Sequence, residues 1–117
     1  MKKYVFERYH AYTSHPSLTV RQYEEMQAGN YNDFPDYVIY RGKRYGVEPL
    51  NWGKEPIKTT SAGFNYFEEG LAMKIETLSK SPDYDKPNGC GDCHDRLTIK
   101  TDCEVGFVKD GKILSPA

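Results

Sequence analysis

The sequence predicts an α+β fold in which an antiparallel sheet built from hairpins carries two short helices on one face. Two segments place a glycine-containing turn between β-forming residues, a pattern typical of β-hairpins. Two other segments begin with a helix-capping pair and continue with apolar residues three or four positions apart. Because hairpins pair antiparallel strands, the helices are expected to form a separate layer against the sheet.

The N-terminal part of the chain is predicted to contain one strand and one helix. Residues 2–12 are rich in Tyr, Val and Phe, and several aromatic side chains share one face at period two, which favours a strand. Thr19, followed three positions later by Gln22, predicts a capping box at the start of the first helix. Gly29 lies where the C-terminal cap of that helix is expected.

The middle of the chain is predicted to contain a hairpin and the second helix. The hairpin spans residues 37–47, where Gly42 provides the positive φ that a tight turn needs. Residues 48–61 are predicted to be irregular. The second helix covers residues 65–79, because four apolar side chains within this segment fall on one helical face.

The C-terminal part is predicted to contain a loop, a strand and a second hairpin. Residues 81–95 form the loop, and the β-branched segment 97–101 forms the strand. Residues 104–114 form the hairpin around the Asp110–Gly111 pair, which is a strong turn signal. These elements complete the antiparallel sheet of the predicted α+β fold.

Length and charge narrow the class of protein. A single domain is predicted for residues 1–117, which is an ordinary domain length. The formal net charge of −1 argues against a strong non-specific nucleic-acid binder. No apolar run approaches the ~20 residues of a transmembrane helix. The start of the chain lacks the apolar segment of a signal peptide, so we expect a cytoplasmic protein without a membrane partner.

Cys90, Cys93, His94 and Cys103 form the most chemically suggestive cluster in the sequence. A Cys-x-x-Cys spacing lets one tight turn present two thiolates to the same metal ion, and glycines next to Cys90 favour such a turn. Cys103 is then a third ligand, and His94, another histidine or an aspartate is the fourth. The cofactor that this pattern predicts is a structural zinc ion, and no other cofactor is expected.

Three other interpretations of the cysteine cluster remain open. The same spacing occurs in dithiol redox pairs, although those lie at the start of a helix after a strand, whereas this pair precedes a predicted strand. The string from Cys90 to His94 also matches the attachment site of c-type haem, a chemistry that takes place outside the cytoplasm. The third interpretation is that the cysteines are ordinary buried or exposed side chains.

Aromatic and basic residues are mixed around the first predicted hairpin. Such a mixture is enriched at protein interfaces, and it also suits a surface that stacks bases and binds phosphates. Alternatively, the aromatic residues fill the core while the basic residues face solvent. The candidate partner-binding residues are Tyr37, Tyr40, Arg41, Lys43, Arg44, Tyr45 and Trp52.

These observations favour a small intracellular binding or inhibitor-like module that contacts another protein through this Tyr- and Arg-rich surface, with or without a structural zinc knuckle. The alternatives are a zinc-knuckle protein that binds single-stranded nucleic acid and a Cys-x-x-Cys thiol redox protein. The sequence contains no catalytic or nucleotide-binding motif, so an enzyme is not indicated. A phage or mobile-element origin is compatible with such a module, although no residue points to one.

Overall fold

A computed structural model describes residues 1–13, 19–86 and 90–114. Within these residues the chain forms ten strands, one α-helix and one short 3₁₀ helix. The strands are β1 (Lys2–Thr13), β2 (Tyr31–Asn32), β3 (Tyr37–Tyr40), β4 (Lys43–Gly46), β5 (Lys58–Thr59), β6 (Asn65–Glu68), β7 (Leu71–Lys80), β8 (Cys90–Thr101), β9 (Gly106–Lys109) and β10 (Lys112–Leu114). The α-helix, α1, spans Val20–Gln27, and the 3₁₀ helix spans Leu50–Gly53.

The predicted α+β class is wrong, because the described residues form two sheets with mainly antiparallel pairing. One sheet has the strand order β2-β1-β8-β7-β6-β5, and the other has the order β10-β9-β3-β4. The pairings β1–β2, β3–β4, β3–β9, β5–β6, β6–β7 and β9–β10 are antiparallel. In the described part of the chain α1 is the only α-helix, so the expected pair of helices does not form. None of the described helices has the length and apolarity needed to cross a bilayer.

The predicted second helix over residues 65–79 is replaced by two strands. This segment forms β6, a turn at Glu69 and Gly70, and then β7. Glu68 pairs with Leu71 across the turn, and a bulge interrupts the register between Tyr66 and Glu68. The apolar residues spaced three or four apart therefore belong to two strands instead of one helical face.

A packing constraint at Gly70 favours a turn at this position over a continuous helix. A β-carbon added at Gly70 would overlap the carboxylate of Asp102 and the hydroxyl of Tyr40. The backbone N–H of Asp102 also donates a hydrogen bond of 2.9 Å to the carbonyl of Gly70. Contacts with residues distant in sequence thus fix a turn where local apolar spacing predicts a helix.

The first strand and the cap of the first helix are confirmed. β1 covers the predicted segment 2–12. At the start of α1, the backbone N–H of Gln22 donates to the Thr19 hydroxyl at 3.2 Å, and the backbone N–H of Thr19 donates to Oε1 of Gln22 at 2.9 Å. The helix ends at a cap formed by Ala28, and Gly29 does not adopt the left-handed conformation of a glycine cap.

Both predicted hairpins are confirmed, with tight turns of the expected kind. Arg41 and Gly42 have φ values of 49° and 80°, and Asp110 and Gly111 have values of 52° and 76°. Positive φ at both central residues matches the right-handed twist of the flanking strands. The predicted loop over residues 81–95 is shorter than expected, because β8 begins within it.

The chain divides into two compact units. Unit 1 consists of Met1–Phe6, Phe34–Lys74 and Leu97–Ala117, and unit 2 consists of Glu7–Asp33 and Ile75–Arg96. Each unit therefore combines segments that are far apart in the sequence. The prediction of a single domain stays a prediction.

Unit 1 has a core of aliphatic and aromatic side chains. The rings of Tyr4 and Phe6 meet the ring of Phe107 edge-on, with centroid distances of 5.1 and 5.0 Å. Edge-to-face contacts of this kind stabilise aromatic pairs beyond the area they bury. The fully buried apolar side chains of this unit include Val38, Val47, Leu71, Met73, Leu97 and Ile99.

Unit 2 contains a partly buried ion pair between Arg8 and Asp95, whose side chains are 23% and 10% exposed. Arg8 donates hydrogen bonds to Oδ2 of Asp95 from Nε at 2.9 Å and from Nη2 at 2.8 Å. The Thr77 hydroxyl and the Cys93 thiol donate to Oδ1 of Asp95 at 2.9 and 3.4 Å. Burial alone would raise the pKa of Asp95, but these hydrogen bonds and the charge of Arg8 together lower it. Asp95 thus joins β1, β7 and β8 as a carboxylate.

Candidate functional site

The seven predicted partner-binding residues lie in unit 1, but on two faces of the β3–β4 hairpin. Cross-strand pairing alternates the side chains between these faces. Tyr40 and Tyr45 point to the buried face, and each is only 5% exposed. Arg41 and Lys43 lie exposed close to them. The residues on the opposite face are Tyr37, Arg44 and Trp52.

Three of these residues form an aromatic platform. The indole of Trp52 occupies the space that a side chain at Gly46 would need, because a β-carbon there would lie 2.8 Å from Cγ and Cδ2 of the indole. The ring centroids of Tyr37 and Trp52 are 4.6 Å apart, at an interplanar angle of 73°. The guanidinium carbon of Arg44 lies 5.5 Å from the centroid of the Tyr37 ring. The aromatic platform is thus formed by Tyr37, Arg44 and Trp52 over Gly46.

The backbone that carries the indole is strained. Asn51, Trp52 and Gly53 have φ values of 54°, 42° and 84°. This left-handed region costs a non-glycine residue roughly 1–2 kcal/mol. Nε1 of Trp52 donates a hydrogen bond of 2.6 Å to the carbonyl of Glu48, yet Trp52 is 48% exposed. This backbone and the hydrogen bond to Glu48 hold the indole in a defined, half-exposed position.

The aromatic platform continues into an apolar sheet face. Tyr37 pairs with Val108, and Val108 pairs with Ile113, so these three side chains share one face of the four-stranded sheet. Ile39 lies two residues from Tyr37 on the same face and is partly exposed, and Ile113 is 69% exposed. We call the aromatic platform together with Ile39 and Ile113 the Trp52 face.

A cleft beside the turn of the β3–β4 hairpin is a second candidate site. Its volume is about 460 Å³. The Tyr40 hydroxyl donates to Oδ1 of Asp102 at 3.0 Å. Arg41 donates from Nε to the Tyr40 hydroxyl at 3.1 Å and from Nη2 to Oδ2 of Asp102 at 3.3 Å. The cleft is lined by Tyr40, Arg41, Lys43, Glu68, Glu69, Gly70 and Asp102.

A second polar cluster at the cleft contains Tyr45, Glu68 and Lys43. The Tyr45 hydroxyl donates a short hydrogen bond to Oε1 of Glu68, and Nζ of Lys43 lies 3.7 Å from the same oxygen. Burial, and next this hydrogen bond, raise the pKa of Tyr45 to about 12. The hydrogen bond from Tyr45, helped by the charge of Lys43, lowers the pKa of Glu68. Because the polar groups of the cleft bond to one another, an entering ligand has to replace existing hydrogen bonds.

The predicted zinc ligands Cys90, Cys93 and His94 lie in strand β8, where a tight turn was expected. An extended strand separates residues three positions apart by roughly 10 Å. The side chain of Cys90 lies outside the described part of the structure. Among the described side chains, no group of three His, Cys, Asp or Glu residues is arranged to hold a metal ion. The zinc site therefore stays a prediction, without the turn on which it was based.

The structure describes the side-chain environments of Cys93, His94 and Cys103. Burial, followed by the hydrogen bond to Asp95 and its charge, raises the pKa of the Cys93 thiol. A redox-active cysteine needs a lowered pKa, so this environment argues against that role for Cys93. Nε2 of His94 lies 3.7 Å from Oε2 of Glu7 and has no hydrogen-bond partner among the described residues. Cys103 is a half-buried free thiol.

Sequence reasoning missed a third surface, where lysines cover two aromatic rings in unit 1. Nζ of Lys58 lies 4.6 Å from the ring centroid of Tyr66. Nζ of Lys100 and Nζ of Lys74 lie 4.2 and 5.6 Å from the centroid of Phe64. These five residues define the lysine face. The aromatic residues Phe64 and Tyr66 are two positions apart, which is a strand signal. The prediction of a helix over residues 65–79 did not use this signal.

Comparison with protein-family models, with curated proteins and with solved structures finds no match for this chain. Its function therefore has to be inferred from the chemistry of the Trp52 face, the cleft and the lysine face.

Proposed function

We propose that the protein is a binding module that recognises a partner protein through the Trp52 face. The observation that carries this proposal is the combination of rigid support and exposure at Trp52. The indole rests on Gly46, contacts Tyr37 and donates to the carbonyl of Glu48, yet it remains 48% exposed. A few hot-spot residues carry most of the binding energy of a protein interface, and Trp, Tyr and Arg are enriched among them. An anchor that is already ordered loses little conformational entropy on binding.

The charge around the Trp52 face supports an acidic partner. Residues 38–58 contain five basic and two acidic side chains. Arg44 is exposed within the face, whereas Arg41 and Lys43 lie on the other side of the hairpin, beside Asp102 and Glu68. Complementary charge speeds association and discriminates against wrong partners. The proposed occupant is an acidic segment of a partner protein with one apolar side chain that packs against Trp52.

The cleft supports a binding function less well than the Trp52 face does. Its tyrosine hydroxyls and carboxylates already form hydrogen bonds with one another. Tyr40 and Tyr45 are buried, so their truncation is expected to destabilise the fold. The contact surface is therefore assigned to Tyr37, Arg44 and Trp52 among the predicted residues.

Selection from a displayed random peptide library tests this proposal. Purified wild-type protein is the bait, and each enriched peptide is then titrated against wild type and Trp52→Ala. We expect enriched peptides to combine an aromatic or aliphatic residue with nearby Asp or Glu. Loss of the indole should weaken their binding at least about tenfold, because hot-spot aromatic residues contribute 2 kcal/mol or more, roughly.

Tyr23→Ala is the matched control, because Tyr23 is a similarly exposed aromatic residue at 45% and lies in α1 of unit 2. Its affinity for the enriched peptides should stay within about twofold of wild type. Circular dichroism and thermal unfolding establish that both variants are folded. Failure to enrich any peptide, or peptides that bind Trp52→Ala as tightly as wild type, would overturn the proposal.

A further inference from the structure

The lysine face places three ammonium groups over two rings on one side of a sheet. Tyr66 pairs with Ala72 in β7, and Lys74 lies two residues further along that strand, so Lys74 and Tyr66 share a face. Met73, which alternates to the opposite face, is fully buried in the core of unit 1. Ala72, on the same face as the two rings, is also fully buried, but the side chains of Phe64 and Tyr66 are themselves partly exposed.

From this arrangement we infer that the lysine face binds single-stranded nucleic acid. Proteins that bind single strands without sequence preference combine a positive surface with aromatic rings on which bases stack. Here Lys58, Lys74 and Lys100 supply the positive charge, and Phe64 and Tyr66 supply the rings. The two rings are two residues apart, roughly 7 Å along the chain, so two bases can stack side by side.

On binding, the lysine ammonium groups can leave the aromatic rings and contact phosphates of the nucleic acid. In the free protein each ammonium group lies over a ring, where its chain also shields the ring from water. A phosphate attracts the ammonium group more strongly than the ring does, because it carries a full negative charge. Once the lysines turn to phosphates, the faces of Phe64 and Tyr66 become available to bases. Stacking needs unpaired bases, so the fitting ligand is a single strand.

Fluorescence anisotropy with labelled single-stranded oligothymidine is the direct test. We expect binding at about 50 mM salt that weakens steeply by about 200 mM, because condensed counterions are released on binding. The double variant Lys58→Gln with Lys100→Gln should bind at least tenfold more weakly, with a salt slope reduced by about two. Tyr66→Leu should weaken binding about fivefold or more and leave the salt slope unchanged, since it removes only stacking.

Two controls distinguish binding at the lysine face from non-specific electrostatic attraction of the oligonucleotide and from binding at the Trp52 face. Lys80→Gln with Lys86→Gln removes the same charge from unit 2, where both lysines are exposed, and should change the affinity less than threefold. Trp52→Ala should bind the oligonucleotide as wild type does. The inference is overturned by absent binding at low salt, by equal weakening in the two lysine pairs, or by a Tyr66→Leu variant that binds like wild type.

Discussion

At the scale of single residues, buried tyrosines in unit 1 combine an apolar ring with a hydroxyl bound to a carboxylate. Tyr40 donates to Asp102 and Tyr45 donates to Glu68, and the two rings meet edge-on with centroids 6.4 Å apart. A buried phenol needs a hydrogen-bond partner, and acidic residues at the cleft provide it. This pairing lets a tyrosine-rich sequence fill a core with aromatic rings.

Tyr45→Phe tests this pairing because it removes the hydroxyl and keeps the ring. At neutral pH we expect the free energy of unfolding to fall by about 1 kcal/mol. Because the pKa of Tyr45 is raised from 10.0 to about 12 in the folded state, its contribution is fully present below pH 10 and disappears as the pH rises towards 12. Urea unfolding across this range should show the wild type losing its advantage of about 1 kcal/mol and then becoming less stable than the variant, because two pKa units correspond to roughly 2.7 kcal/mol. A difference that does not vary with pH would contradict the pairing.

The partly buried ion pair of unit 2 gives a second prediction at this scale. Asp95→Asn removes the negative charge to which Arg8 donates, and replaces one of the two acceptor oxygens by an NH₂ group that donates. Breaking a buried pair by removing one partner is strongly destabilising, so we expect a loss of about 2–4 kcal/mol in the free energy of unfolding. Chemical denaturation at neutral pH measures this loss.

Asp85→Asn is the control for this prediction. Asp85 pairs with Lys80, but both side chains are largely exposed, at 71% and 44%. Exposed pairs contribute little, so the change in the free energy of unfolding should stay within about 0.5 kcal/mol. Equal losses in the two variants would show that Asp95 has no special structural role.

At the scale of elements, the β6–β7 turn depends on one glycine. Gly70→Ala introduces a β-carbon that collides with Asp102 and Tyr40, so we expect a loss of about 1–3 kcal/mol in the free energy of unfolding. At Gly29 a β-carbon meets no atom within 4 Å, and the backbone is not left-handed. Gly29→Ala should therefore be neutral or slightly stabilising. Thermal unfolding of the two variants checks the contrast, and similar melting temperatures would contradict it.

Elements whose signals are local could be predicted from the sequence. The capping box needs only Thr19 and Gln22, and the hairpin turns need only the glycines at their second positions. The segment 65–79 could not be assigned in this way, because its turn depends on contacts between Gly70 and residues far away in the chain. Apolar spacing alone does not distinguish one helix from two short strands.

The candidate site was predicted in part. Alternation along β3 and β4 separates the buried Tyr40 and Tyr45 from Tyr37 and Arg44, but the sequence alone does not say which face is buried. Trp52 lies next to Tyr37 and Arg44 because its backbone is left-handed, and no sequence pattern indicates this conformation. The spacing of Cys90 and Cys93 predicted a tight turn, whereas both residues belong to strand β8.

At the scale of the whole molecule, a near-neutral chain has an uneven distribution of charge. The net charge is −1, yet residues 38–58 carry an excess of basic side chains. If the partner segment is acidic, salt should weaken its binding, because exposed charges are screened. We expect the affinity of an enriched acidic peptide to fall about threefold to tenfold between about 50 and 500 mM salt, and to fall less for Arg44→Gln. Isothermal titration calorimetry measures both series, and an affinity independent of salt would contradict the acidic assignment.

The fluorescence of Trp52 reports whether a partner covers the Trp52 face, because Trp52 is the only tryptophan in the chain. An enriched peptide is titrated into wild-type protein while the emission spectrum and acrylamide quenching are recorded. We expect a blue shift and reduced quenching, each half-saturated at the Kd measured by calorimetry, because the half-exposed indole becomes covered. Peptide binding that leaves both signals of Trp52 unchanged would show that the partner binds elsewhere.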